Sequence, residues 1–285
     1  MRSSSLKGPI LHNLVTVWRR SVTAELCWLG AEGPVGIPVV PLMWDDHPCV
    51  ALPLAHLGMV DTMTSGRAVF ALTGAAPDTG PALAGAGRVD IRFDLDGTRF
   101  VEHLLDQEIT KHPPSRLRAD GLMTRRENWW WVPRVLITLI EAEDVRELPA
   151  RTRPEDALLV RARGPEAGAA GPRVDVVTAA AWPADTGHDV ELWRRDGAAL
   201  EGAGEPAFVF GHQHSPDFER WERWHRSGAL KGDTLVVASG AGGPAPAPAP
   251  FGFLERWRNH RGLARACKAG IAAAESRRAA APGGG

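Results

Sequence analysis

Two guanidinium groups stand where backbone can come close to a ligand. Arg67 and Arg88 each sit beside a predicted strand and next to a glycine, Gly66 and Gly87, and a planar guanidinium suits bidentate recognition of phosphate or carboxylate. The string Trp129-Trp130-Trp131-Val132-Pro133-Arg134 is the most unusual in the chain. As a strand it would set Trp129 and Trp131 on one face and Trp130 on the other. An aromatic wall beside Arg134 would then receive a flat ring; the other reading is that the rings plug a barrel or an interface. Lys111, Arg116, Arg118, Arg125 and Arg126 are the local basic concentration and suggest a port for an anionic substrate. His212-x-His214 with Asp217, Glu219, Glu222 and His225 offers ligand types for zinc or a related ion. Phe218, Trp221 and Trp224, however, recur at helical spacing and read as a buried helix face, so no metal site is assigned. The chain carries no Walker loop, dinucleotide glycine fingerprint, nucleophile elbow or zinc-protease motif.

The elements that must position these groups are mostly short strands. Ala24–Leu29 is an apolar run closed by Gly30 and Gly33, and Val35–Trp44 is apolar again with Pro38 and Pro41 inside it. Proline cannot serve a fully paired central strand, so this one belongs at an edge or carries a bulge. Asp45-Asp46-His47-Pro48 turns the chain into Cys49–Leu54, and Ala55–Thr64 reads as a short helix. Strands follow at Ala68–Thr73 and Ala86–Leu95, where Val89, Ile91, Phe93 and Leu95 alternate. Asp96-Gly97 is a turn, Phe100–Lys111 a helix ended by Pro113-Pro114, and Trp129–Glu141 a last long strand. Such a series of short strands with few helices predicts a mainly β protein built on a barrel with peripheral helices.

The 285 residues include 44% hydrophobic and 24% charged types, which excludes wholesale disorder. A net charge of −1 leaves no global basic field for nucleic acid or an anionic membrane. No apolar run reaches the length of a bilayer span, the first seven residues lack a secretory signal, and the three cysteines suggest no disulfide framework. A cytoplasmic protein is expected.

The second half repeats the first in order. Ala157–Val160 and Val174–Thr178 follow Ala24–Leu29 and Val35–Trp44; Val190–Trp193 follows Cys49–Leu54; Gly204–Phe210 matches Ser65–Ala71; and Ala229–Gly232 with Val236 matches Ala82–Gly85 with Val89. An internal duplication is therefore expected: a barrel domain over 1–148, a diverged second copy over 149–240, and a tail over 241–285. In that tail the Ala-Pro run 241–250 is a semi-rigid spacer. Phe253, Trp257, His260, Ala264, Cys267 and Ile271 then mark an amphipathic helix ready to dock.

The first copy resembles the flavin-binding split-barrel superfamily of pyridoxamine 5'-phosphate oxidase-like proteins. The resemblance lies in the first strand Ala24–Leu29, Gly36-Ile37-Pro38 opening the second, and a third strand with its short helix. It continues through Ser65-Gly66-Arg67-Ala68-Val69, Leu83–Val89 and the closing strand at Trp131–Ile140. It implies a cleft between two barrels, formed by a homodimer or by a monomer with an internal pseudo-dimer, that holds FMN or a deazaflavin. The carry-over puts His56, Ser65, Arg67 and Arg88 on the phosphate, with Trp129, Trp131 and Arg134 lining the ring pocket; Thr62 and Thr64 are further phosphate candidates. The chain departs from the family over 55–64, where no Lys or Arg stands. The implied activity is an oxidoreductase acting on a small molecule, with no nucleic-acid or membrane partner. The alternative is a non-catalytic flavin-, haem- or metal-binding protein on the same scaffold, with His212, His214 or His260 as haem ligands.

Overall fold

A computed structural model of the chain describes residues 7–74, 81–122, 126–162, 171–183 and 187–280. Arg125 and the side chains of Thr64 and Arg126 lie outside the described residues. Strands β1 (Ala24–Gly30), β2 (Gly33–Val39), β3 (Leu42–Trp44), β4 (His47–Pro53), β5 (Met63–Leu72), β6 (Leu83–Asp94) and β7 (Arg134–Glu147) form one antiparallel sheet in the order β2-β1-β5-β6-β7-β4-β3. A second seven-stranded sheet holds β8 (Ala157–Ala162), β9 (Pro172–Thr178), β10 (Asp189–Glu191), β11 (Trp193–Arg194), β12 (Gly202–His214), β13 (Trp221–Gly232) and β14 (Thr234–Ala241). Its order is β10-β14-β13-β12-β8-β9-β11. The molecule is mainly β, with one sheet nearly closed into a barrel and helices at the periphery, which is the class the strand pattern predicts. No described helix is long and apolar enough to cross a membrane.

Six strands of each sheet follow one order, β2-β1-β5-β6-β7-β4 in the first and β9-β8-β12-β13-β14-β10 in the second. The correspondence extends to register: Leu26 faces Phe70, which faces Gly85, and Leu159 faces Val209, which faces Arg226. The fourth strand of each set, β6 or β13, also breaks register at one matching step, between Ala86 and Gly87 and between Ser227 and Gly228. At both breaks a Cβ on the glycine would meet a carbonyl oxygen of the next strand, Glu141 O at 1.8 Å or Val236 O at 1.9 Å. Glycine lets the backbone close on its neighbour there. One sequence match is out of register. Leu83 faces Leu72, and the matching position is Trp224 facing Gly211, so Ala229–Gly232 lies further along β13 and Val236 falls on β14.

The predicted strand Val35–Trp44 is broken before Pro41 into β2, which carries Pro38 at one edge of the sheet as proline requires, and β3 at the other edge. Two other expectations fail. Trp129–Trp131 belong to a 3-10 turn over Arg126–Trp131, and β7 opens only at Arg134. Pro133 has no N–H to pair in a central strand, while Trp130 and Trp131 are needed under the helices, where they pack with Phe100, Leu104 and Cys267. Phe218–Trp224 is not a helix: Phe218 sits in a turn with φ 59° and Trp221 opens β13 opposite His214. Its spacing was that of a tight turn between two strands.

Helix α1 (Lys7–Arg20) buries Leu14, Val17 and Trp18 against the first sheet. A short helix α2 (Leu57–Val60) follows β4; α3 (Leu105–Lys111) and α4 (Pro113–Leu122) form an insert between β6 and β7; and α5 (Phe253–Ala280) follows the spacer. Buried Asp94 starts the insert by accepting the backbone N–H groups of Arg99 and Phe100. The sheets meet along an apolar seam in which Cys27, Val69, Ala71 and Ala84 pack on Leu158, Val160, Val174, Val176 and Phe210. Gly36 admits the Phe210 ring, whose Cε1 would lie 2.2 Å from a Cβ.

Candidate functional site

A cavity of about 670 Å³ opens where the two sheets, the helical insert and α5 converge, within the range of small-molecule sites. Its apolar wall comes from β2 and β4, through Ile37, Val39, Val50 and Leu52, with Met59 of α2 beside them. The insert supplies Glu108, His112, Ser115 and Arg118; Arg134 opens β7; the β12–β13 turn brings Phe218 and the start of β13 brings Trp221 and Arg223; and α5 closes one side with Trp257, His260 and Leu263. The position of α5 depends on Gly270, where a Cβ would lie 2.1 Å from Leu54 O, and on Arg256, which pairs with Asp217 at 3.2 Å and with Glu219.

The floor is a buried polar chain. Ser115 Oγ donates to Glu108 Oε1 at 2.5 Å, so at 2.9 Å it accepts from His112 Nδ1. Arg134, nearly fully buried, pairs with Glu108 at 3.4 Å and stacks on Phe100, 4.2 Å from its centroid. Arg118 and Arg223 make no close ion pair among the described residues, although the charges of Glu108 and Glu219 act on Arg118. Burial, and then the charges of Arg118 and Arg134, push the His112 imidazole down to about 4. His56 is lowered by burial, Arg223 and Arg134, and His260 by burial and Arg118. At neutral pH the cavity therefore presents arginine cations beside neutral imidazoles.

Of the seven residues singled out from sequence, the cavity gathers His56 and Arg134. Arg67 pairs with Glu143 and Arg88 with Glu141 at 3.0 Å on the outer face of β6 and β7, and Ser65 is exposed beside Arg67. Trp131 is buried behind Phe100, and Trp129 points to solvent. The basic port contributes Arg118, whereas Lys111 donates to Pro41 O and Trp18 O and is lowered by burial to about 8. Thr62 donates to Met59 O.

The His212 cluster is structural. His212 Nε2 lies 2.9 Å from Glu25 Oε1 and 2.8 Å from Arg151 Nη2, which itself donates to that carboxylate at 2.8 Å. Its Nδ1 is buried without a partner. A bare lone pair there is cheaper than a buried N–H, so Nε2–H donates to Glu25 and the contact with Arg151 is a close approach of two donors. Thr73 Oγ1 completes the set at 2.7 Å, joining both sheets through β1, β5, β12 and the linker. His214 contacts Ser215 O, Glu222 pairs with Arg220, and His225 stacks on Phe208. No group of three metal-ligating side chains gathers among the described residues.

This cluster makes the fold acid-labile. Burial and then Arg151 hold His212 down at about 4; burial would raise Glu25, but the His212 hydrogen bond and Arg151 override it and hold the carboxyl at about 2. In both cases the unfolded chain takes up its proton first, so stability falls from pH 6.5 to 4 through His212 and from 4.5 to 2 through Glu25. Each contributes about 3 kcal/mol. Urea midpoints at pH 7 and pH 4.5 should differ accordingly, and His212→Gln should flatten the upper window; an unchanged slope would refute the assignment.

No family model matches the chain, and no curated protein is similar to it. Among solved structures it is similar to a heme binding protein from Mycobacterium smegmatis, at 12% identity over 94% of this chain and 99% of that one, with a TM-score of 0.33. It is also similar to a pyridoxamine 5'-phosphate oxidase-related, FMN binding protein from Nostoc punctiforme, at 12% identity over 81% and 98%, TM-score 0.29. A third is a conserved hypothetical protein from Mycobacterium tuberculosis, at 16% identity over 51% and 84%, TM-score 0.34.

Proposed function

We propose that the chain is a cytoplasmic split-barrel protein whose seam cavity binds a planar, anionic cofactor of the flavin class, FMN or a deazaflavin, in the service of a small-molecule oxidoreductase. One observation carries this reading: a single cavity joins an apolar slot to two arginines, Arg118 and Arg223, that make no ion pair among the described residues. The residues fit the group. Arg118 and Arg223 suit its phosphate, and Val39, Leu52, Met59 and Trp221 supply flat apolar contact for its ring. The bound cofactor would supply the redox chemistry; the protein binds it, orients it and keeps water from its ring. The same reading makes the chain an internal duplicate in which two modules meet as two subunits would. The shared strand order and the paired glycine bulges support this.

Titration with FMN tests the proposal. Arg118→Ala and Arg223→Ala should each weaken binding about tenfold or more, as expected for a lost charge-assisted hydrogen bond. Arg67→Ala and Arg88→Ala, at outward-facing pairs, should leave it unchanged. Weakening by the second pair alone would move the site to the outer face of β6 and β7. A haem reading has its own observation, since His56, His112 and His260 line the cavity and burial keeps His56, His112 and His260 neutral, the form that ligates iron. A Soret shift on haem addition, lost in His260→Ala, together with no FMN binding, would favour it.

A further inference from the structure

The overall charge balance conceals a local feature on α5. Along this helix Arg258, Arg261, Arg265 and Lys268 are exposed, and none makes an ion pair among the described residues. Just N-terminal to them, Phe253, Leu254 and Trp257 are 84%, 66% and 52% exposed. At 3.6 residues per turn all seven fall within an arc of about 140°, and that stripe runs roughly 22 Å along the axis. No acidic residue shares the arc over this length, since Glu255 lies on the far flank. The neighbouring face of α5, with Cys267, Ile271 and Ala274, is the one that packs on the body. The guanidinium of Arg261 lies 4.2 Å over the Trp257 ring, so cation and aromatic surface form one patch.

We propose that this face of α5 docks the protein on an anionic lipid bilayer. Four unpaired cations complement the negative surface of acidic headgroups. The phenylalanine, leucine and tryptophan at one end suit the boundary between headgroups and acyl chains, where Trp is favoured. A phosphate backbone would satisfy the cations but leave Phe253 and Leu254 in water, so lipid accounts for both halves of the patch. The surface borders the seam cavity through Phe253 and Trp257, whereas Leu254, Arg258, Arg265 and Lys268 do not line it and separate the two readings.

Co-sedimentation with vesicles tests the proposal. The full chain should pellet with phosphatidylcholine vesicles containing about a third phosphatidylserine, should stay in solution with pure phosphatidylcholine, and should be released by salt as the cations are screened. The triple variant R258Q/R265Q/K268Q should bind about a hundredfold more weakly, at roughly fivefold per cation near the surface. Leu254→Ser should weaken binding several-fold without changing the net charge. Both variants should keep the wild-type thermal melt. Equal partition onto neutral vesicles, no binding to acidic ones, undiminished binding by a folded triple variant, or capture of duplex DNA in preference to acidic vesicles would overturn it.

Discussion

Asp175→Ala should destabilise the folded protein by about 3–5 kcal/mol, the range for removing one partner of a buried ion pair. Asp175 on β9 is 1% exposed, and four arginines converge on it: Arg173 at 3.1 Å, Arg161 at 3.5 Å, and Arg146 and Arg194 at 3.7 Å. Glu205 takes a share of Arg161 and Asp196 a share of Arg194, but the Nε of Arg161 is already buried without a hydrogen-bond partner. Arg146 comes from β7 of the first sheet and also donates to Val174 O, so the loss falls on the junction between the sheets. A urea titration should show the midpoint falling toward zero denaturant, since such a loss is a large part of a domain's total stability. Asp175→Asn, which keeps the shape and one acceptor oxygen, should be milder. Equal midpoints for wild type and Asp175→Ala would show that the arginines are solvated rather than held by this carboxylate.

Gly87→Ala and Gly228→Ala should be comparably damaging, each by about 3 kcal/mol or more, because a methyl group cannot share space with a backbone carbonyl oxygen. The strands would have to part at the bulge and give up ladder hydrogen bonds on either side. Gly58 provides the contrast: a Cβ there meets nothing within 4 Å, and the residue lies in α2. Gly58→Ala should therefore be neutral or stabilising by about 0.5–1 kcal/mol. Thermal melts of the three variants decide the matter. Damage at Gly87 with tolerance at Gly228 would mean that the two bulges do not hold equivalent places in their sheets.

What the sequence discloses depends on whether a pattern is local. β2 declares its place through Pro38, and the docked part of α5, Ala264, Cys267 and Ile271, through its steps of four and three, whereas Phe253 and Trp257 of the same pattern stay exposed because the body does not reach the start of the helix. The order of strands in the second half was readable because Gly204–Phe210 and Ser65–Ala71 do occupy matching strands in the same register. The match at Ala229–Gly232 was misleading because small residues recur along β13 and only pairing with β12 sets the register. Trp129–Trp131 looked like a strand since aromatic residues favour strands, yet their burial under the insert decided otherwise. α1 was missed although Leu14, Val17 and Trp18 have helical spacing.

The cavity was harder to see. Its lining comes from β2, β4, the insert, one turn of the second sheet and α5, and no motif spans elements so far apart in the chain. Arg118 was visible as part of a basic cluster. Glu108, His112 and Ser115 carried a signal only in hindsight, as polar residues at positions the insert buries. Phe218 reaches the cavity wall through a left-handed backbone conformation that β-hairpin turns rarely give to an aromatic residue. Arg67 and Arg88 satisfied the glycine-neighbour rule and still face outward, because alternation along β5 and β6 puts them opposite each other, within reach of the glutamates of β7.

The sheet margins bear on how the protein behaves when crowded. A margin strand offers unpaired amides on which another chain can template, and length and flatness make it dangerous. Here β3, β10 and β11 are three, three and two residues long, and the remaining margin, β2, is interrupted by Pro34 and Pro38. Among the described residues, the margin strands themselves thus offer a foreign strand only short or proline-broken runs. Concentrated solutions should stay free of fibrils as long as the native state persists.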